Sequence, residues 1–174
     1  MQRPMQRIYI PHLVKDPGQT RKIEVNDYLK DLETLTPVKG LIQIQHRGNF
    51  LEVSAQAETI TTLTCHRCLQ NYNFRIQVDT SEFIWLQEPQ PQDYAEEVEV
   101  GLDELFETLP PQGHFEPAKW LYEQLCLAIP QRQLCDAACE GIVNPLASDA
   151  DNNTSASTDQ RWAALSALKQ QLSD

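Results

Sequence analysis

Two cysteine pairs constrain this chain more than any other feature: Cys65-His66-Arg67-Cys68 and Cys135-Asp136-Ala137-Ala138-Cys139. A Cys-x2-Cys loop lets two sulfurs turn toward one ion, and a second pair closes a tetrahedral shell of four thiolates. The pairs are separated by 66 residues, more than compact zinc modules use. Any ion they share ties the middle of the chain to its C-terminal part, which removes many otherwise possible folds. Cys65, Cys68, Cys135 and Cys139 are therefore the candidate metal ligands, with a structural zinc as the predicted cofactor. The competing readings are reduced core or surface thiols, or a redox pair. A thioredoxin-type pair needs a strand leading into a helix whose N-terminus lowers the thiol pKa. Here the flanks of the first pair read as strands. Cys126 falls on the apolar face of a predicted helix and reads as a small buried hydrophobe rather than a fifth ligand.

The strands follow from alternation. Arg7 to Ile10 and Thr20 to Val25 are predicted short strands, and Asn26 or Asp27 caps a predicted short helix through Leu32. In 38–46, Val38, Gly40, Ile42 and Ile44 share one face. Arg47-Gly48-Asn49 is a turn signal. In 50–64, Leu51, Val53, Ala55 and Ala57 share a face; beyond the first cysteine pair, Tyr72, Phe74, Ile76 and Val78 do the same. The result is an antiparallel meander with the first pair at one of its turns, as in a zinc knuckle. A loop is predicted over 88–93 and another strand over 96–100. Pro117 opens a helix, on which Ala118, Leu121, Tyr122, Leu125, Cys126 and Ile129 recur at helical spacing until Pro130.

The predicted fold class is α+β: a strongly twisted antiparallel sheet, open or closing toward a barrel, with one or two packed helices and a C-terminal tail helix. Residues 1–143 form the domain. Residues 144–158 are polar, small and acidic, and read as a flexible linker. Residues 159–174 form an amphipathic helix, with Arg161 and Trp162 as its docking residues, either onto the domain or onto a partner.

Charge divides the chain. Residues 1–75 hold ten Lys/Arg and seven Asp/Glu, whereas residues 76–174 hold four and eighteen, for a net charge of −11. The basic half suits RNA, and the acidic half suits a basic protein. No apolar run approaches the roughly 20 residues that span a bilayer. The N-terminus is too short and too broken for a signal peptide, so a reducing, cytoplasmic setting is predicted.

These pieces together resemble the YceD family, the large-subunit ribosomal RNA accumulation proteins of bacteria and plastids. The resemblance rests on Cys65-His-Arg-Cys-Leu69, Leu125-Cys-Leu-Ala-Ile-Pro130, Leu134-Cys-Asp-Ala-Ala-Cys-Glu-Gly141 and Asp159-Gln-Arg-Trp-Ala-Ala-Leu-Ser-Ala-Leu168, in that order over nearly the whole chain. It implies a non-enzymatic ribosome-biogenesis factor that supports accumulation or processing of large-subunit (23S) ribosomal RNA, in the cytoplasm or, in a plastid-bearing source, the stroma. Its implied partner is that RNA or the pre-ribosome. One departure is that Ile142-Val143-Asn144 follows Gly141, where many members continue with further cysteines. Four thiols remain, the number one zinc needs.

Arg47, Arg67 and Arg75 are the candidate RNA or partner contacts, expected to share one end or edge of the sheet. Arg67, at the knuckle tip, either meets a phosphate or is an ordinary exposed or ion-paired arginine. His66 either replaces a ligand or points to solvent. The alternative function is an interaction module that binds a basic ribosomal protein or a ribonuclease without touching RNA. No Walker loop, GxGxxG, HExxH, GxSxG or zinc-deaminase pattern occurs. Asp103, Glu104 and Glu107 read as a solvated acidic helix start, so no enzymatic activity is predicted.

Overall fold

The alternating apolar residues build one sheet. The structure is a computed structural model and describes residues 5–88 and 106–142. Strands β2 (Thr20–Asp27), β3 (Val38–His46), β4 (Phe50–Thr64), β5 (Asn71–Leu86) and β6 (Thr108–Leu109) lie side by side in that order. A two-residue strand β1 (Ile8–Tyr9) pairs separately with β7 (His114–Phe115). Helix α1 covers Ile10–Leu13 and α2 covers Pro117–Leu127. The described residues through Cys139 belong to one compact unit.

The α+β class holds, with an open sheet whose strand order runs from β2 to β6 without closing. β2 to β5 are antiparallel neighbours, and β6 pairs parallel to β5 through Trp85↔Thr108 and Leu86↔Leu109. A parallel neighbour needs a long crossover, and residues 87–107 supply the length. The predicted helix through Leu32 is absent: β2 runs on to Asp27, and residues 28–37 form turns and extended chain. Ladder bonding to β3 continues to Asp27↔Val38 and overrides the capping signal. The predicted strand at 7–10 is shorter, because Pro11 supports a helical turn from Ile10.

Period-two burial places the core. Val38, Ile42, Ile44, Leu51, Val53, Ile76 and Ile84 are all fully buried or nearly so, and α2 adds Trp120, Leu121 and Leu125. Burying each such side chain contributes about 1.5–3 kcal/mol. α2 lies on β5. Trp120 Nε1 donates to Glu82 Oε2 at 2.6 Å, and Gln124 Nε2 donates to the same oxygen at 3.0 Å. Gly40 has a specific steric role: a Cβ there meets Gln56 O and the Cα and Cβ of Ala57 inside contact distance. β3 and β4 thus approach too closely at that point for any side chain.

The β4–β5 hairpin dominates the architecture. Its register runs unbroken from Phe50↔Trp85 to Thr64↔Asn71. β3 accompanies it only as far as Glu58. Beyond that, residues 33–36 serve the edge of β4: Leu35 N donates to Ile60 O at 2.7 Å, and the hydroxyls of Thr59 and Thr61 donate to Thr36 O and Glu33 O at 2.8 Å each. Those bonds allow two buried threonines to continue the apolar face toward the hairpin tip.

The predicted loop at 88–93, apart from Glu88 itself, the strand at 96–100, the linker at 144–158 and the tail helix at 159–174 lie outside the described residues, as do Asp103, Glu104, Arg161 and Trp162. Among the described residues no helix is long and apolar enough to cross a membrane.

Candidate metal centre

The tip of the long hairpin is the Cys65–Gln70 loop. Cys65 N donates to Gln70 O at 2.9 Å and Leu69 N to Cys65 O at 3.0 Å. Leu69 takes a left-handed backbone, φ 59°, which tightens the turn between Cys68 and β5. The second pair arrives after α2 ends at Leu127 and the chain has passed Pro130. Its own turn is closed by Asp136, whose Oδ1 accepts from Ala138 N at 2.7 Å and whose carbonyl accepts from Cys139 N at 3.1 Å.

The two loops bring all four sulfurs together. Cys65 Sγ lies 3.8 Å from Cys139 Sγ, and Cys68 Sγ lies 3.7 Å from Cys135 Sγ. All four lie within 4.8 Å of one another. Disulfide sulfurs sit about 2.05 Å apart, so these are not bonded pairs. A tetrahedral ion with sulfur bonds of about 2.3 Å, the Zn–S length, places its ligands about 3.8 Å apart. The donor set therefore fits such an ion. Cys65 is fully buried at the foot of the loop, Cys68 and Cys139 are half-buried, and Cys135 is exposed.

Electrostatics point the same way. The backbone N–H groups of Cys68 and Cys135 bring the Cys65 thiol down to about 5, against the opposing effect of burial. The N–H of Arg67 reaches the same sulfur at 3.4 Å. Hydrogen bonds to the sulfurs of Cys139, Cys65 and Cys68 push Cys135 up to about 12. One proton thus leaves this cluster easily and another only with difficulty. Four thiolates so close need a cation between them, and a divalent ion favours the deprotonated set. Burial, then the charges of Cys65 and Cys135, also raises the neighbouring Tyr72 phenol.

Arg67 and His66 hold the two loops against each other. Arg67 Nη1 donates to Cys139 O at 2.9 Å and to Ala137 O at 3.5 Å. His66 N donates to Gln133 O at 2.8 Å, and Gln133 N donates to His66 Nδ1 at 3.3 Å. His66 is thus engaged with backbone outside the sulfur cluster. The arginine's position on the loop was readable from the sequence, but its partners 70 and 72 residues away were not. Gln133 and Asp136 carried no sequence signal at all. Cys126 stands on α2, half-buried and outside the four-sulfur group.

The three arginines do not share one end. Arg47 occupies the β3–β4 turn and is ion-paired with Glu52 at 2.8 Å. Arg67 lies at the far end of the 15-residue β4, roughly 45 Å away at about 3.3 Å per residue. Arg75 sits opposite Ile60 along the hairpin and pairs with Glu58 at 3.2 Å. Antiparallel geometry explains the correction: successive turns alternate between the two ends of a sheet.

An open sheet on which a long hairpin carries half of a four-cysteine cluster, completed by the segment after a packed helix, defines an α+β protein whose four clustered thiols are placed to hold a metal ion. The chain belongs to the YceD family: the family model described as large ribosomal RNA subunit accumulation protein YceD matches residues 53–169. That span begins inside β4 and includes all four clustered cysteines. No curated protein and no solved structure matches the chain.

Proposed function

We propose that this protein is a non-enzymatic ribosome-biogenesis factor that supports accumulation or processing of large-subunit (23S) ribosomal RNA, with a structural zinc held by Cys65, Cys68, Cys135 and Cys139. Membership of the YceD family carries the reading. The site chemistry supports it: four thiolates fill a tetrahedral shell and leave no position for substrate. The ion would supply cohesion, joining the hairpin tip to the segment after α2. The setting is the cytoplasm or the plastid stroma. Depleting the protein should lower large-subunit RNA more than small-subunit RNA; equal loss of both defeats the proposal.

A second reading is contact with a basic ribosomal protein or a ribonuclease rather than with RNA. Specific contacts favour it. Arg47 and Arg75 are tied to Glu52 and Glu58, and Arg67 is tied to two carbonyls. None of these three stands ready for a phosphate without first giving up a partner.

A further inference from the structure

The two cysteine loops are held together by hydrogen bonds of their own. Arg67 Nη1 reaches Cys139 O at 2.9 Å, and His66 and Gln133 exchange two bonds, at 2.8 and 3.3 Å. Those contacts set sulfur against sulfur across the junction: Cys65 faces Cys139 at 3.8 Å and Cys68 faces Cys135 at 3.7 Å. A disulfide forms at about 2.05 Å, so each sulfur has to move by only about 1 Å, a small side-chain rotation.

Four thiols allow three connectivities. The facing contacts select Cys65–Cys139 with Cys68–Cys135 over the crossed alternative. Chain length argues against bonds inside the loops. Those would close only three or four residues, whereas the facing partners stand 74 and 67 residues apart. The stabilisation from a cross-link grows with the span it closes, so thiol–disulfide exchange favours the facing pairs. Exposure orders the two bonds. Cys135 is exposed and Cys68 half-buried, whereas Cys65 is fully buried. A small oxidant therefore meets the Cys68–Cys135 pair first.

We propose that the four cysteines form an oxidation site, which a peroxide converts from a metal-holding thiolate set into two disulfides across the loops, Cys68–Cys135 and then Cys65–Cys139. In each conversion one thiolate gives an electron pair to a peroxide oxygen. The O–O bond breaks, leaving a sulfenic acid and hydroxide. The facing thiolate attacks that sulfur, the S–O bond breaks, and a second hydroxide departs. Two sulfurs thus lose two electrons to one peroxide, and two protons from solvent complete two waters. After both conversions no thiolate of the set remains, and the ion leaves. A dithiol restores each pair by exchange and is itself oxidised to a disulfide. The hairpin tip stays tied to 131–139 throughout, first through the ion and then through covalent bonds. This deepens the metal-centre reading above and rests on it only for the ion displaced.

The test uses the full-length protein with its zinc content measured beforehand. Hydrogen peroxide is added in small excess, remaining thiols are alkylated at intervals, and unreduced peptides are mapped by mass spectrometry. Cys68–Cys135 should accumulate before Cys65–Cys139. Zinc release, read with a chromophoric chelator, should follow the bonds, and dithiothreitol should return all four thiols. Amide exchange across 65–70 and 131–139 should stay slow in the oxidised protein and run roughly tenfold faster in reduced, chelated protein. Cys126→Ser, outside the four-sulfur group, should form the same two bonds. Bonds inside a loop, Cys65–Cys68 or Cys135–Cys139, overturn the proposal. So do sulfinic acids in place of disulfides, a bond that includes Cys126, or equally fast exchange in the oxidised and chelated proteins. Protein that carries no zinc yet forms both cross-loop bonds defeats the zinc reading and upholds the oxidation site. Zinc-loaded protein whose thiols survive peroxide does the opposite.

Discussion

The two ends of the β4–β5 hairpin solve opposite problems. At the cysteine end, two short loops from distant parts of the sequence are drawn together by a few polar contacts and four thiols. There is little buried apolar packing there beyond Cys65 and Leu63, so an ion held by the four thiols would supply cohesion that the core does not. At the aromatic end, where Phe50 meets Phe83 and Trp85, the sheet is at its widest: β3 and β6 flank the hairpin, and large side chains remain exposed. That end has packing to spare. If the four thiols hold an ion, stability depends on that ion at one end and on the core at the other.

The largest expected effect breaks the comparison at its metal end. Cys68→Ser or a strong chelator should abolish stoichiometric metal binding, since structural zinc sites contribute on the order of 10–16 kcal/mol of apparent binding free energy. Amide exchange should accelerate across 65–70 and 131–139 while Leu51, Val53 and Ile84 stay protected. Equal acceleration at both ends, read by mass spectrometry, means that the ends are not separable.

A core truncation should do the reverse. Ile42→Ala or Leu51→Ala, each at a fully buried position, should cost about 2–5 kcal/mol in denaturant unfolding. Metal content per folded molecule should remain unchanged. A loss of metal at denaturant concentrations where the sheet is still folded counts against the division.

How much of this was legible differs between the ends. Alternation in 38–46, 50–64 and 71–78 sufficed to place the inward residues, because a single apolar face fixes strand register. The cysteine spacing sufficed to select the four thiols that the structure brings together. The aromatic row was not read from the sequence: Phe83 and Trp85 stand two residues apart, but only the hairpin register adds Phe50 to them. The parallel β6 and the reach of Arg67 to Cys139 depend on chain paths that no local pattern encodes. The helix expected through Leu32 failed for the converse reason: a good capping residue, Asp27, was already committed to the ladder with Val38, and its side chain receives only Tyr28 N, at 2.8 Å.

Arg67 sharpens the comparison further. If it latches the two loops, Arg67→Ala should weaken metal binding by about 10–100-fold, the range for residues that orient ligands. Zinc competition against a chromophoric chelator reads this directly. Arg67→Lys keeps the charge but cannot present the same planar fork, so it should recover only part of the loss. Unchanged metal affinity in Arg67→Ala returns this residue to the list of partner contacts.

The smallest expected effect concerns Arg47 and Arg75. Their pairs with Glu52 and Glu58 are largely solvent-exposed, with arginine side chains 48% and 60% accessible. Exposed pairs contribute about 0–1 kcal/mol, so Arg47→Glu with Arg75→Glu should shift the unfolding midpoint only slightly and leave metal content unchanged. That silence makes the variant informative. A reversal at Arg67 disturbs the cysteine loops and confounds any binding measurement, whereas these two sites stand apart from them. If the protein meets large-subunit RNA through its basic half, the double reversal should weaken co-sedimentation with large-subunit precursors, and the wild-type association should fall steeply with salt. If co-sedimentation is unchanged while a Phe83→Ser, Phe106→Ser protein, altered at two exposed positions, is lost from the precursors, contact runs through the aromatic end. The cysteine end then serves to hold the hairpin rather than to meet the partner.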